Sequence, residues 1–169
     1  YEISDYDYIA GLKSFQDGMY QIQDISSMLA GEYTAPKAGD TIVDVCGAPG
    51  GKSINAALKM LEQGDCGRVI ARDLSDYKVA LIDENIKRLN ITNIQTQVYD
   101  ALDCDESLIN KADIVIADLP CSGLGIIGRK PDIKYNASPE KLQSLVDLQR
   151  DILKVVSRYV KSGGVLMYS

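Results

Sequence analysis

The most informative segment of this 169-residue sequence reads Asp44-Val45-Cys46-Gly47-Ala48-Pro49-Gly50-Gly51-Lys52-Ser53. It closes a short and mostly apolar run, residues 41–46, of the kind that forms a buried strand in a parallel sheet. Its glycines let the backbone approach a ligand closely, and the residues from Lys52 onward carry the apolar spacing of a helix. The segment therefore predicts a buried strand that passes through a glycine-rich ligand loop into a helix.

A second segment of the same character reads Asp113-Ile114-Val115-Ile116-Ala117-Asp118-Leu119-Pro120-Cys121-Ser122-Gly123. It also predicts a buried strand that ends in a carboxylate, and here the carboxylate is followed by a Pro-Cys pair. The presence of both segments in one small chain indicates a nucleotide-like ligand with a thiol beside it.

The composition favours one globular domain, because 46% of the residues are hydrophobic and the chain is long enough to bury a core. It contains neither a run of about 18 apolar residues nor a signal-peptide pattern, so we expect no membrane span and a cytoplasmic location. There is no histidine, and no Cys-x-x-Cys pair occurs among Cys46, Cys66, Cys104 and Cys121. We therefore expect reduced thiols and no metal site.

The two ends of the sequence support a further expectation. The chain begins with Tyr1 rather than Met, and its last predicted strand is followed by no turn or cap. We therefore expect an excised fragment that is open at both ends.

Strand and helix patterns alternate along the chain. Predicted strands cover residues 41–46, 68–73, 94–99, 113–118 and 164–169, and predicted helices cover 51–63, 76–90 and 138–161, with a short helical turn within 101–111. This order predicts an α/β, Rossmann-like, doubly wound parallel sheet in which 94–99 is a partly exposed edge strand. We expect residues 1–37 to form an N-terminal lead-in with a helix over 25–30, and residues 38–169 to form the core domain.

Four predicted strands carry an aspartate at or just past their carboxyl end, where ligands bind in such a sheet: Asp44, Asp73, Asp100 and Asp118. Asp73 lies about 20 residues beyond the glycine loop, which is the position that accepts hydrogen bonds from ribose hydroxyls. We expect its carboxylate to be exposed, as strand-end carboxylates usually are. The alternative for the set, and for Asp100 above all, is a role in turns and caps.

The four aspartates of this acidic rim distinguish between two candidate nucleotide ligands, ATP and S-adenosylmethionine. A Walker A loop needs glycine where Cys46 stands, and Pro49 removes one amide that a phosphate cradle could use. Carboxylates would also repel a triphosphate, whereas they suit an adenosine ligand that carries a sulfonium cation. The chemistry therefore favours S-adenosylmethionine over ATP, and a P-loop-like NTPase is the alternative.

The quoted segments, together with Arg129-Lys130-Pro131-Asp132-Ile133-Lys134-Tyr135 and Gln23-Asp24-Ile25-Ser26-Ser27, resemble the Sun/Fmu-type RNA cytosine-5 methyltransferases. Within that family the chain is most similar to the RsmB-like enzymes that modify 16S ribosomal RNA. The resemblance covers about residues 20–169. It implies a catalytic-domain fragment of the class I S-adenosylmethionine-dependent methyltransferase type, truncated after the fifth strand.

The resemblance also implies the site residues. S-adenosylmethionine would be contacted by Cys46, Gly47, Ala48, Pro49, Gly50, Gly51, Lys52, Asp73, Asp100 and Asp118. The alternatives are a buried small hydrophobic residue for Cys46 and a residue of the helix N-terminus for Lys52.

RNA is the partner that the resemblance implies, 16S ribosomal RNA first and transfer or other RNA as the alternative, with the protein acting as a monomer. Arg129, Lys130 and Lys134 would form the basic edge of the RNA groove. Composition alone favours a solvated loop for these residues, because the net charge of −6 argues against nucleic acid as the default partner of this piece.

The reaction that the resemblance implies proceeds through a covalent bond between a cysteine and C6 of cytosine. In the family, a Thr-Cys after the fifth strand provides the attacking thiolate, and this sequence stops at Tyr168-Ser169 before reaching it. Asp118 would hydrogen-bond the cytosine. Cys121 has three interpretations: a thiol that assists release, the nucleophile itself, or a structural residue. We expect Cys66 and Cys104 to be structural.

Overall fold

The computed structural model describes residues 8–64, 67–128, 131–136 and 138–169. Its helices are α1 (Lys13–Gln16), α2 (Ile25–Thr34), α3 (Gly51–Glu62), α4 (Asp76–Leu89), α5 (Ile133–Asn136) and α6 (Pro139–Val156). Its strands are β1 (Thr41–Asp44), β2 (Arg68–Asp73), β3 (Ile94–Val98), β4 (Ala112–Ala117) and β5 (Val160–Tyr168). Short 3-10 helices cover Ile9–Gly11, Glu106–Leu108, Leu124–Ile126 and Ser157–Tyr159.

The strands form one parallel sheet in the order β3-β2-β1-β4-β5. The chain builds outward from β1 in one direction to β3 and then returns to β4 and β5, so the direction of winding changes between β1 and β4. The predicted doubly wound α/β fold is confirmed. In such a sheet, ligands bind in the crevice at the carboxyl ends of the strands where the winding changes.

Both faces of the sheet are covered by helices, which explains the continuous apolar strands in the sequence. Adjacent residues of β1 enter different clusters, since Ile42 packs with α3 and Val43 packs with α6, and both are fully buried. The α6 cluster also contains Val115, Ile152, Val156 and Tyr159, and the α3 cluster contains Ile54, Met60, Val69 and Ile114.

The prediction for the last helix and strand is wrong at their junction. The predicted helix 138–161 ends at Val156, and β5 begins at Val160 rather than at residue 164. Gly163 has φ +78°, and a Cβ on Gly164 would lie 2.8 Å from the carbonyl oxygen of Asp113. The two glycines therefore form a bulge in β5, where the register with β4 shifts, instead of ending the helix.

The lead-in helix is confirmed and is longer than predicted, since α2 runs to Thr34. Asp24 caps it, and its carboxylate accepts hydrogen bonds from the amide and the hydroxyl of Ser26. The short helical turn is confirmed at Glu106–Leu108, and β3 is an edge strand as predicted. Within the described ranges, no helix is long and apolar enough to span a bilayer.

Candidate active site

A cavity of about 350 Å³ opens at the carboxyl ends of β1 and β4. The glycine loop and the first turn of α3 form one wall, and residues 21–24 together with α2 form another. Asp44, Lys52 and Asp118 line it, so the cavity contains charged groups from both sequence segments that pointed to a ligand. The cavity lies at the switch point of the sheet, where this fold binds its ligands.

Three amides of the glycine loop already donate hydrogen bonds inside the protein. The amide of Gly47 donates to the carbonyl oxygen of Arg72 (2.7 Å), that of Gly50 donates to the carbonyl oxygen of Gly47 (2.6 Å), and that of Ala48 donates to the Asp73 carboxylate (3.1 Å). The proline in this loop has no amide to offer. A phosphate cradle needs free amides that converge on the ligand, so the internal hydrogen bonds of these three amides weigh against the P-loop interpretation.

Asp44 lies beneath the cavity and not on an open rim, because only 1% of the surface of this residue is exposed. Its Oδ2 accepts a 2.6 Å hydrogen bond from the Ser53 hydroxyl, and its Oδ1 has no partner among the described residues. Burial raises the pKa of Asp44 to about 7, and the charge of Asp118 adds to this effect, whereas Ser53 and Lys52 oppose it. An unpaired buried acceptor in the cavity is a strong candidate for ligand contact.

Asp118 forms an ion pair that joins three elements at the cavity. Its carboxylate accepts hydrogen bonds from the Lys52 ammonium at the start of α3 and from the Ser169 hydroxyl (2.8 Å) at the end of β5. The Lys52 ammonium also lies 3.4 Å from the hydroxyl of Ser27 on α2. These contacts hold Asp118 beside the cavity with its negative charge balanced by a cation.

Neither Asp73 nor Asp100 lines this cavity. The expectation that Asp73 is exposed is wrong, because only 4% of this residue is exposed. Its carboxylate accepts hydrogen bonds from the amides of Ala48 and Leu74 and forms an ion pair with the Lys78 ammonium (3.0 Å). Asp100 accepts from the amide of the residue two positions later (2.9 Å), which caps a turn. Since a carboxylate has about four acceptor sites, Asp73 retains capacity for one more donor.

Replacing Asp73 with alanine should therefore weaken folding. Two loop amides and the Lys78 ammonium lose their acceptor, so we expect the free energy of unfolding to fall by about 1–3 kcal/mol. Urea unfolding measures this change, and Asp100→Ala, which removes a single turn hydrogen bond, is the matched control. Equal stability of Asp73→Ala and the wild-type protein would show that the buried contacts of Asp73 contribute nothing.

The described cysteines differ in their surroundings. Burial, with the nearby charges of Asp73 and Asp44, raises the pKa of the Cys46 thiol to about 12, so this thiol stays protonated at neutral pH. Cys104 is half-buried against the core, and Cys121 is free and exposed after β4, outside the cavity lining. Cys66 lies outside the described residues.

A second cleft of about 570 Å³ adjoins the cavity, because Asp24 and Ser27 line both. Its other wall includes Gly125 and Gly128, which precede the basic loop in the sequence. Arg129 and Lys130 of the predicted RNA edge lie outside the described residues, and Lys134 lies in α5. Their role in RNA binding stays a prediction.

Several residues of the cavity were not found by sequence reasoning. Phe15, Asn85 and Arg88 line it, and the polar residues Asn85 and Arg88 lie on α4, outside the sequence segments that pointed to a ligand. Gln23 also lines it, and its Nε2 has no partner among the described residues. Gln23 had a signal in the sequence, because it belongs to the segment Gln23-Asp24-Ile25-Ser26-Ser27 that resembles the family, although it was not predicted as a site residue.

Solved structures with a similar fold include proteins described as methyltransferases or methyltransferase homologues. This chain is similar to the protein described as PH0851, with a TM-score of 0.88 and 30% identity over 96% of this chain and 36% of that one. It is also similar to NSun6 from Pyrococcus horikoshii, which was solved with SFG, with a TM-score of 0.82 and 29% identity over 95% of this chain and 40% of that one. The sheet order and the site define a Rossmann-like, S-adenosylmethionine-dependent methyltransferase domain.

Sequence comparison identifies the family within this class. The family model described as 16S rRNA methyltransferase RsmB/F matches residues 32–169. The probable ribosomal RNA small subunit methyltransferase B of Bacillus subtilis (strain 168) is 43% identical over 162 residues, which are 95% of this chain and 36% of that protein. The chain belongs to the RsmB/F family of 16S rRNA methyltransferases, as its motifs predicted.

The match covers a limited part of the relatives. The ribosomal RNA small subunit methyltransferase B of Citrobacter koseri is 34% identical over 164 residues, 95% of this chain and 37% of that protein. The chain therefore spans a little over a third of the length of the curated relatives it matches.

Proposed function

We propose that this chain is the cofactor-binding part of an enzyme that forms 5-methylcytosine in ribosomal RNA, specifically 16S, from S-adenosylmethionine. The observation that carries the proposal is the cavity at the switch point, where buried Asp44 and the Lys52–Asp118 ion pair meet in a chain of the RsmB/F family. The enzyme would act as a monomer in the cytoplasm. Transfer RNA or another RNA is the alternative substrate.

The polar groups of the cavity fit S-adenosylmethionine. Asp44 Oδ1 is a buried acceptor and Gln23 Nε2 a buried donor, and both lack a partner among the described residues. A ligand that carries both an ammonium and a carboxylate can satisfy the two together. A triphosphate would instead meet the carboxylates of Asp24, Asp44 and Asp118, and the amides of Gly47, Ala48 and Gly50 already have acceptors inside the protein.

We assign the rest of the cofactor contacts to the residues that the family resemblance indicates: the loop and helix residues 46–52 with Asp73, Asp100 and Asp118. The remaining acceptor site of Asp73 suits a ribose hydroxyl. When bound, S-adenosylmethionine supplies a methyl group made electrophilic by its sulfonium. The acidic surroundings favour that cation.

On the RNA side, Asp118 would accept a hydrogen bond from the cytosine amine or from a protonated N3, and its ion pair with Lys52 holds the carboxylate beside the cavity. A cysteine thiolate forms a bond to C6, which makes C5 nucleophilic. After C5 gains the methyl group, a base takes the C5 proton and the bond between sulfur and C6 breaks. The target base must leave its stack to reach the site.

We assign the attacking thiolate to the residues that follow the fifth strand in the family, and release assistance to Cys121. The end of β5 supports this arrangement, because the Ser169 hydroxyl already contacts Asp118. A thiol carried by the following residues would therefore enter the site beside the cytosine. Cys121 is exposed on the neighbouring segment after β4.

Calorimetry with S-adenosylmethionine and ATP tests the ligand assignment. We expect S-adenosylmethionine to bind and ATP to show no measurable heat. Adenosine is a matched control, because it leaves Asp44 and Gln23 unpaired, so its affinity should be at least about tenfold lower, or roughly 1.4 kcal/mol. Binding of ATP without binding of S-adenosylmethionine would contradict the assignment.

A further inference from the structure

The side chain of Arg88, near the end of α4, holds the chain segment 13–24, called here the wall segment. Its Nη1 donates to the carbonyl oxygens of Phe15 (2.9 Å) and Tyr20 (3.1 Å). Its guanidinium also lies 3.9 Å from the centroid of the Phe15 ring. A single cation thus binds both ends of the turn that follows α1, through two charge-assisted hydrogen bonds and a cation–π contact.

The backbone of the wall segment also approaches α4 unusually closely. Gly18 has φ +71°, and a Cβ at this position would lie 2.0 Å from the carbonyl oxygen of Arg88 and 3.2 Å from the Cα of Leu89. Only glycine fits such a turn against the last turn of the helix. The close approach is an observation independent of the Arg88 side chain, and it points to the same docking site.

Asn85, one turn earlier on α4, extends this set of contacts to the glycine loop. Its Nδ2 donates to the carbonyl oxygen of Pro49 (3.1 Å), and its Oδ1 accepts from Nη2 of Arg88 (3.2 Å). A chain of hydrogen bonds therefore runs from the wall segment through Arg88 and Asn85 to the glycine loop. Phe15, Pro49, Asn85 and Arg88 all line the cavity.

Every residue of the wall segment is exposed or half-buried. The helix α1 buries none of its residues, and the segment adds no strand to the sheet. Segments with few buried apolar contacts open at low free-energy cost. The segment nevertheless ends at Gln23 and Asp24, whose side chains line the cavity.

We propose that Arg88 is a positioning residue which, with Asn85, joins the wall segment to the glycine loop and so forms the binding-competent cofactor cavity. This inference rests on the proposed function, because the ligand is S-adenosylmethionine. Arg88 acts through the segment and the loop. Its positive charge would repel the sulfonium, so a direct contact with that group is not its role.

The experiment compares Arg88→Ala with Lys87→Ala, which removes the same charge from an exposed neighbouring position on α4. Hydrogen exchange of the ligand-free protein and the affinity for S-adenosylmethionine are measured for each. In Arg88→Ala we expect loss of amide protection across residues 13–24, unchanged protection in β1 and β4, and at least about tenfold weaker binding, or roughly 1.4 kcal/mol. Lys87→Ala should match the wild-type protein in both measurements.

Two further variants distinguish the anchoring of the wall segment by Arg88 from the connection to the glycine loop through Asn85. Arg88→Lys keeps the charge but cannot reach both carbonyls and Asn85 at once, so its affinity should lie between those of Arg88→Ala and the wild-type protein. Asn85→Ala cuts the connection to the glycine loop, so binding should weaken while residues 13–24 stay protected. If Arg88→Ala loses the protection of the sheet as well, Asn85→Ala decides the proposal.

Wild-type affinity in Arg88→Ala or in Asn85→Ala would overturn the positioning role, and unchanged protection of residues 13–24 in Arg88→Ala would overturn the anchoring step. Absence of S-adenosylmethionine binding by the wild-type protein would contradict the proposed function instead. The exchange measurement needs no ligand, so the two failures are distinguishable.

Discussion

A polypeptide of residues 1–169 should bind S-adenosylmethionine and transfer no methyl group to ribosomal RNA. A chimera that adds the segment after the fifth strand of the Bacillus subtilis relative should transfer methyl groups. The reason is the position of β5, which pairs in parallel with β4 up to Ala117 and Tyr168. The amide and carbonyl of Ser169 continue this pairing with Ala117 and Leu119, so a chain that follows emerges beside Asp118.

The described cysteines other than Cys121 are poor candidates for the attacking group. Cys46 stays protonated because burial and two carboxylates raise its pKa to about 12. Cys104 packs against the core. Cys121 is accessible, and we assign it to release rather than attack.

The difference in activity between residues 1–169 and the chimera is measured as transfer of a labelled methyl group to ribosomal RNA. Changing the first cysteine of the added segment to alanine should return the chimera to background. Cys121→Ala in the chimera should still form the bond to C6 but release it slowly, so a covalent protein–RNA complex should accumulate on denaturing gels. Methyl transfer by residues 1–169 alone would contradict the assignment and make Cys121 the leading candidate for the nucleophile.

The fold was predictable from the sequence wherever one local pattern had one structural meaning. The strands β1 and β4 are buried on both faces, so their apolar runs are continuous and unambiguous. The end of α6 was not predictable, because Tyr159 continues the apolar helical spacing of Leu148, Ile152 and Val155 in the sequence. In the structure a 3-10 turn carries Tyr159 into the same core cluster, and the strand begins directly afterwards.

The candidate site was predictable only where its residues lie in contiguous motifs. Lys52 and Asp118 were found because each belongs to a segment with an evident strand and loop. Asn85 and Arg88 were missed because their partners lie 36 to 73 positions away in the chain, where no local period connects them. The burial of Asp73 was missed for a similar reason, since the loop amide of Ala48 folds back onto it.

The ligand-free protein should lose stability as the pH rises from about 4 to 7, and Asp44 is the cause. The pKa of this carboxyl is raised from 3.8 to about 7 in the folded state by burial. Between these values the unfolded chain releases the proton while the folded protein keeps it, so rising pH favours unfolding. The contribution of Asp44 to the free energy of unfolding is full below pH 3.8 and falls by about 4 kcal/mol by pH 7.

Other carboxyls act in a different range of pH. The pKa of Asp105 is lowered by hydrogen bonds from Ser107 and Arg72, and that of Asp113 is lowered by Lys161 and the amide of Thr41 against the opposing effect of burial. Their contributions are lost only as the pH falls below the ordinary range of a carboxyl, near 4. Stability should therefore be greatest near pH 4 to 5 and should decline on both sides.

The variant Asp44→Asn isolates this effect. Its side chain cannot ionise, and its carbonyl oxygen can still accept the hydrogen bond from Ser53. We expect its free energy of unfolding, measured by urea titration at intervals between pH 4 and 8, to match the wild-type value near pH 4 and to exceed it at pH 8. The control Asp100→Asn, at a turn outside the cavity, should keep the wild-type dependence on pH. A wild-type curve that is flat from pH 4 to 7 would mean that Asp44 is already ionised in the folded protein, with Lys52 and Ser53 outweighing its burial.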